Sequence, residues 1–406
     1  MSERTYMADT PGERRTAQRP PGVTWIARGL ALAFGVLLAL ALIELLGRVA
    51  VGFEPLPGWA QDFNNRVGYE LRPGETYTYA SLSGEFENEV RHNNRGLHDV
   101  EHTLAKPDGV RRILILSDSF GHAREVPLEQ NFARQLEARL NQDAPPGTRY
   151  EVINLGHYGL GTTQEYLTYR HEGRRYQPDL VLLGFYVGND VLDNHASLTA
   201  AWNATEGVEA PYYAPDSTLH QPGMAARRRI LSWLRQNLFL VHTLAGGLPP
   251  DRVEVGDPGA VTERALRVPM GVYLPPDETW QQAWDITGHV LAELQQAVED
   301  DGARLGLFVI PDRRQIDDDA WEATLARLPD LDPAALDRLR PTGSILALAA
   351  QTGIPALDLL EPFRAADERL YFPIDGHFNP AGHSLTADQL AGWLDASGLL
   401  EASEPS

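Results

Sequence analysis

The sequence predicts an α/β fold, a doubly wound parallel sheet between helical layers, with an N-terminal transmembrane helix and an inserted, lid-like region. Three observations predict it. From residue 111 onward, short aliphatic runs alternate with segments of helical apolar spacing. The run "DLVLLGFYV" (179–187) is nearly continuous in apolar residues, as in a parallel strand buried on both faces. Near the N-terminus, "GLALAFGVLLALALIELLG" between Arg28 and Arg48 carries one charge, Glu44.

The elements follow in order. Residues 1–27 are polar and rich in Pro and Gly, and are expected to be a disordered cytoplasmic tail. Residues 28–50 are the expected transmembrane anchor. The apolar run would be roughly 28 Å long as a helix, against roughly 30 Å of bilayer hydrocarbon. Glu44 sits near one end, and Arg48 lies four residues on, the favourable order for an ion pair at a membrane edge. Arg14, Arg15, Arg19 and Arg28 precede the run, whereas only Arg48 and Arg66 follow closely. That asymmetry predicts a single-pass protein whose bulk lies outside the cytoplasm, periplasmic or at the cell surface. The alternative is a signal peptide cleaved at Ala50-Val51-Gly52, for which the apolar run is long.

Residues 51–110 hold many turn formers and short extended pieces, and read as a stalk with lead-in strands. The main domain is expected over 111–398. Its strands are predicted at 112–117, 150–155, 179–187, 304–311 and 354–360. Its helices are predicted at 128–140, at 162–173 with Gly173 as cap, at 280–300, at 336–353 with a proline break, and at 380–398. Between them, 195–277 interrupts the alternation with many Pro and Gly and reads as an insertion lying over something. Its amphipathic segment 227–244 can be a lid, a membrane-surface helix or core, and core is the expectation. Residues 399–406 are expected to be a disordered tail.

Composition excludes some functions. The net charge of −21 argues against nucleic-acid binding, because phosphates demand a basic face. The chain has no cysteine, so disulfides and thiolate chemistry are excluded. An apolar content of 43% fits a packed core rather than disorder.

In open parallel sheets, ligands bind beyond the carboxyl ends of the strands. The first strand runs into Ser117-Asp118-Ser119. A serine at a tight strand-to-helix turn exposes its Oγ and offers its own N–H to an oxyanion; a Ser/Asp cap is the plainer reading. The second strand ends in "NLGHYGLGTT", where Gly156, Gly159 and Gly161 let backbone approach a ligand or simply supply turns. The third enters Gly188-Asn189-Asp190, in which Asn189 can donate its amide or form an Asx turn. Near the C-terminus, "YFPIDGHFNPAGH" sets Asp375 beside His377, as a general base and its orienting carboxylate require. The His377…His383 spacing suits no helix face, so no metal is expected.

Taken together and in this order, "SDSF", "NLGHYG", "GND" and "DGH" resemble the blocks of the SGNH/GDSL hydrolase superfamily, over roughly residues 91–398. "IELLGR" and "NNRGLHD" are similar to stretches in its anchored members. The resemblance implies a flavodoxin-like three-layer fold. It implies Ser119 as nucleophile, His377 as base and Asp375 as its partner. Ser119, Gly159 and Asn189 would form the oxyanion hole. It implies no metal or organic cofactor. Two departures stand out: Ser117 replaces the usual glycine of the first block, and Asp375-Gly376-His377 is one residue shorter than the usual spacing, so another carboxylate or a carbonyl can orient the ring. The expected function is a cell-envelope serine esterase acting on O-acetyl or short-chain acyl esters of carbohydrate or lipid. An O-acyltransferase with the same residues and a non-catalytic glycan-binding protein are the rivals. Trp202, Tyr212 and Tyr213 are candidates for stacking on sugar rings.

Overall fold

The computed structural model describes residues 21–51, 61–205, 207–224, 226–244, 252–255 and 262–401. Most of the expected N-terminal tail, the first part of the expected stalk and most of the C-terminal tail lie outside the described residues.

The first helix, α1 (Pro21–Val51), starts earlier than expected, so residues 21–27 are helical rather than part of a tail. Proline is tolerated in a first helical turn, where its missing N–H has no partner to lose. Leu30, Phe34, Leu37 and Leu45 all stand exposed along it. A helix apolar on every side finds no place on a water-facing surface. Trp25–Ala50 is long and apolar enough to cross a membrane.

The main sheet follows in regular β–α succession. β1 (Val110–Ser117) leads to α2 (Phe132–Gln142) and β2 (Arg149–Asn154). Next come α3 (Thr162–His171) and β3 (Leu180–Tyr186). The inserted region contributes α4 (Ala226–Asn237) and α5 (Phe239–Leu244), broken at Leu238. The alternation resumes with α6 (Glu278–Asp300), β4 (Arg304–Ile310), α7 (Arg340–Thr352), β5 (Ala356–Asp358) and α8 (Pro380–Ser397).

The five strands lie in the order β2-β1-β3-β4-β5 and pair in parallel throughout. Alternate residues of each strand point to opposite faces, and two cores result. Leu114, Leu116, Val181 and Leu183 pack with α3, α6 and α7 through Tyr169, Leu291 and Ile345. Ile113, Ile115, Leu180 and Leu182 pack on the other face with α2 and α8 through Phe132, Leu136 and Leu390. The strand order reverses between β1 and β3, and that switch point opens a crevice at the carboxyl ends.

Four sequence expectations need correction. Gly173 does not cap α3 but opens a short 3-10 turn, Gly173–Tyr176. A Cβ there would press on Leu114 and Tyr169, so the glycine answers a packing need. Pro341 does not break α7 but lies in its first turn. The region 61–110 holds the expected lead-in strands, but packed rather than standing out as a stalk. Strands Thr76–Ser81 and Glu87–Arg91 form an antiparallel pair, and Arg252–Val255 of the insertion adds to it in parallel. Their Tyr77, Tyr79, Phe86 and Val90 are buried with Phe372 against them. Nor is α4 core: Ile230, Leu231 and Trp233 are all exposed.

Candidate active site

β1 delivers its carboxyl end directly into a one-turn helix, Ser119–His122. Asp118 caps it, accepting the Phe120 N–H at 2.9 Å. Ser119 is therefore the first residue of the turn, where backbone N–H groups lack helical acceptors. Ser117 is fully buried beneath it, and its Oγ donates to Gly184 O at 3.3 Å. A Cβ at Gly184 would meet that Oγ at 3.0 Å, so the glycine on β3 makes room for the serine that replaces glycine in this block.

The Asp-Gly-His segment arrives from the other end of the chain as a tight turn. Tyr371 and Phe378 form an isolated bridge, and the Phe372 N–H donates to His377 O at 2.8 Å. Gly376 has φ +89, the left-handed region that glycine enters without strain. This turn lets an Asp-x-His spacing bring the carboxylate to the ring. Asp375 Oδ1 lies 2.6 Å from His377 Nδ1, and His377 Nε2 lies 2.8 Å from Ser119 Oγ. The turn is held from outside: Glu85, between the two lead-in strands, accepts the Ile374 and Asp375 N–H groups at 2.7 and 3.0 Å.

Sequence reasoning named no particular second carboxylate. Glu125 is buried, and its Oε1 lies 3.6 Å from the same His377 Nδ1, with no hydrogen-bond partner. Burial works against a charged imidazole, yet Glu125 and Asp375 together raise the His377 pKa above its ordinary value. Burial, with Asp375 adding, pushes the Glu125 carboxyl up; for Asp375 burial is outweighed by the His377 ring, which lowers it. Only proximity in the fold reveals Glu125, six residues after Ser119, since nothing in "GHAREV" marks it. Glu125, Asp375 and His377 bring ligand atoms within 4.8 Å of one another, the one such trio among the described residues. A cation on Nδ1 would displace the Asp375 hydrogen bond that points Nε2 at Ser119. His383 plays no part, buried with Nδ1 accepting from Phe132 N at 3.4 Å.

Gly159 (φ +75) and Asn189 line the same cleft as Ser119 and His377. The Asn189 amide donates to Asp193 Oδ2 at 2.9 Å, which fixes its orientation. Behind it lie Asp118, Glu165 and Asp190, all buried; Glu165 has no hydrogen-bond partner on either oxygen. Burial pushes all three carboxyls up, and Asp193 to about 7. The cleft measures about 1150 Å³, and Trp202, Tyr69 and Arg313 stand on its walls. Tyr213 is buried and Tyr212 stacks on His220, so of the three candidate stacking rings Trp202 reaches the cleft.

Residues 273–406, which carry the Asp-Gly-His turn, match the family model of the SGNH hydrolase-like domain of the acetyltransferase AlgX. The C-terminal third of the chain is thus similar to a domain of the SGNH hydrolase type. No curated protein matches this chain. Solved structures similar to it include the acetyl xylan esterase AlAXEase, at 13% identity over 69% of this chain and 98% of that one, with a TM-score of 0.36. A two-domain esterase active on acetylated mannans, co-crystallized with mannopentaose, is 12% identical over 73% of this chain and 51% of its own, with a TM-score of 0.38. A GDSL-like lipase from Bacteroides thetaiotaomicron is 11% identical over 71% and 89%, with a TM-score of 0.34.

Proposed function

We propose that the chain catalyses acyl transfer from O-acyl esters of carbohydrate or lipid through an acyl-enzyme on Ser119, with water as the acceptor. The reading rests on the Asp375–His377–Ser119 relay, with contacts of 2.6 and 2.8 Å. Ser119 Oγ attacks the ester carbonyl and its proton passes to His377 Nε2. The N–H groups of Ser119 and Gly159 and the Asn189 amide hold the oxyanion. The intermediate collapses, and the alcohol leaves with the proton from His377. Water then attacks the acyl-enzyme, giving a proton to His377; the Ser119 ester bond breaks as His377 returns that proton to Oγ, and the carboxylic acid leaves. A cleft of about 1150 Å³ exceeds what an acetyl group needs and suits the larger alcohol part of such an ester. The acetyltransferase named in the matching family model favours a second reading, in which a glycan hydroxyl replaces water.

In the same proposal, Trp25–Ala50 is an uncleaved single-pass anchor and the remainder lies outside the cytoplasm, as the arginine asymmetry about the helix suggests. A fluorophosphonate probe and an aryl acetate test the chemistry. Labelling and turnover should vanish in Ser119→Ala and persist in Ser117→Gly. Labelling lost in Ser117→Gly but kept in Ser119→Ala would move the nucleophile. Added acceptor sugar that captures the acyl group faster than water does would turn the assignment to transferase.

A further inference from the structure

The end of α1 is tied to the inserted region. Glu44 accepts the Phe239 N–H at 2.8 Å and the Leu240 N–H at 2.9 Å, so it caps α5 from another helix. Arg48 holds Glu44 at 2.7 Å and also donates to Asn237 O. Gly47 lies flat against the Phe239 ring, where any Cβ would collide. Three residues of "IELLGR" thus clasp the α4–α5 junction.

What the clasp presents is unusual for this acidic chain. α4 reads "ARRRILSWLRQN", and Arg227, Arg229, Ile230, Leu231 and Trp233 are all exposed. Ile230 and Trp233 are three residues apart and share a face. Bulky apolar groups, one of them tryptophan, lie beside a run of arginines on a chain of net charge −21. Interfacial helices combine these groups, with apolar residues below the headgroups and cations among them. Depth agrees. Glu44 lies six residues before the end of the Trp25–Ala50 span, about 9 Å along the helix axis. Interfacial helices bury their apolar face about 5–10 Å into the headgroup and acyl boundary.

We propose that α4 and α5 form a foot that lies on, and partly in, an anionic lipid surface, the leaflet from which α1 emerges, and that the Glu44–Gly47–Arg48 clasp sets its depth. The foot rests on the reading of α1 as an uncleaved anchor. Trimming near residue 50 would remove the clasp, so its bonds to Asn237, Phe239 and Leu240 give residues 44–48 a role after export.

The cysteine-free sequence makes the test direct. Full-length single-cysteine variants Ile230→Cys, Trp233→Cys and, as a control on the exposed body, Leu339→Cys carry a bimane label. They are reconstituted into phosphatidylcholine vesicles with or without phosphatidylglycerol, and quenched by nitroxide lipids. Labels at 230 and 233 should be quenched at least about threefold more than at 339 in anionic vesicles, and less so after Arg227→Glu with Arg229→Glu. Gly47→Leu should reduce quenching at 233 while the chain still resists alkaline carbonate extraction. Quenching at 230 and 233 no greater than at 339, in chain that resists extraction, would overturn the foot and leave the anchor standing. Release by carbonate would overturn both. Bimane emission at 230 and 233 that stays blue-shifted in detergent without lipid and reverts on dilution would overturn the foot and assign the face to a second copy of the chain. Unchanged quenching in Gly47→Leu would overturn the clasp.

Discussion

Glu125 and Asp375 face one nitrogen of His377, and their removal should have different effects. Glu125→Gln keeps the shape and deletes a negative charge that raises the imidazole pKa. In the proposed mechanism the working base is the neutral ring, so a raised pKa delays activity to higher pH, and the mutation should move the rise of kcat/KM to lower pH. A midpoint that stays put or climbs would show that Glu125 does not act on the ring. His377→Ala should lower kcat on an aryl acetate by about 10⁴–10⁶-fold, and Asp375→Asn by less, because Glu125 Oε1 is already 3.6 Å from Nδ1. Equal losses in the two would show that Asp375 has no substitute. Asn189→Ala should cost roughly 10²–10³-fold in kcat, about 2.7–4 kcal/mol, with KM little changed. Melting temperature measured on the same sample separates this from a turn-forming role, which would lower stability and spare kcat.

At the scale of elements, the Asp-Gly-His turn depends on strands far from it in sequence. Glu85→Ala leaves the Ile374 and Asp375 N–H groups without their acceptor. It should lower kcat by about tenfold, with a smaller change in KM, because the turn positions the base and not the substrate. Steady-state kinetics on Glu85→Ala and Glu85→Gln check it; equal KM and kcat in both variants and the parent would mean that the turn stands alone. Such ties explain what was legible in the sequence. β1 to β5 were readable because each is a short apolar run bounded by turn formers, and the polar residues at their ends mark the crevice. Glu85 and Glu125 were not, since their role arises from contacts across 290 and 252 positions of chain. Pro341 and Gly173 were misread because proline and glycine have several structural uses, and packing decides among them. The apolar spacing of α4 announced a face but not what covers it.

For the whole molecule, the buried carboxyls behind Asn189 tie stability to pH. Glu165 and Asp190 have pKa values raised by burial, so the folded state holds their protons longer than the unfolded chain does. Their contribution is complete below the ordinary carboxylate range and is lost as pH rises through the folded values. Glu165→Gln carries no proton to lose, so its melting temperature relative to the parent should improve from pH 5 to pH 8; a constant difference in scanning calorimetry would deny the linkage. The long separation between Ser119 and His377, 258 positions, also bears on how the protein is made. A chain is made from its N-terminus onward, and a domain generally folds as a unit. Ser119 and its strand β1 leave the ribosome 258 positions ahead of His377. In the proposed mechanism a growing chain therefore carries Ser119 without its base. On that reading, esters met during synthesis are safe from it, and reactivity begins only when His377 has folded onto Ser119.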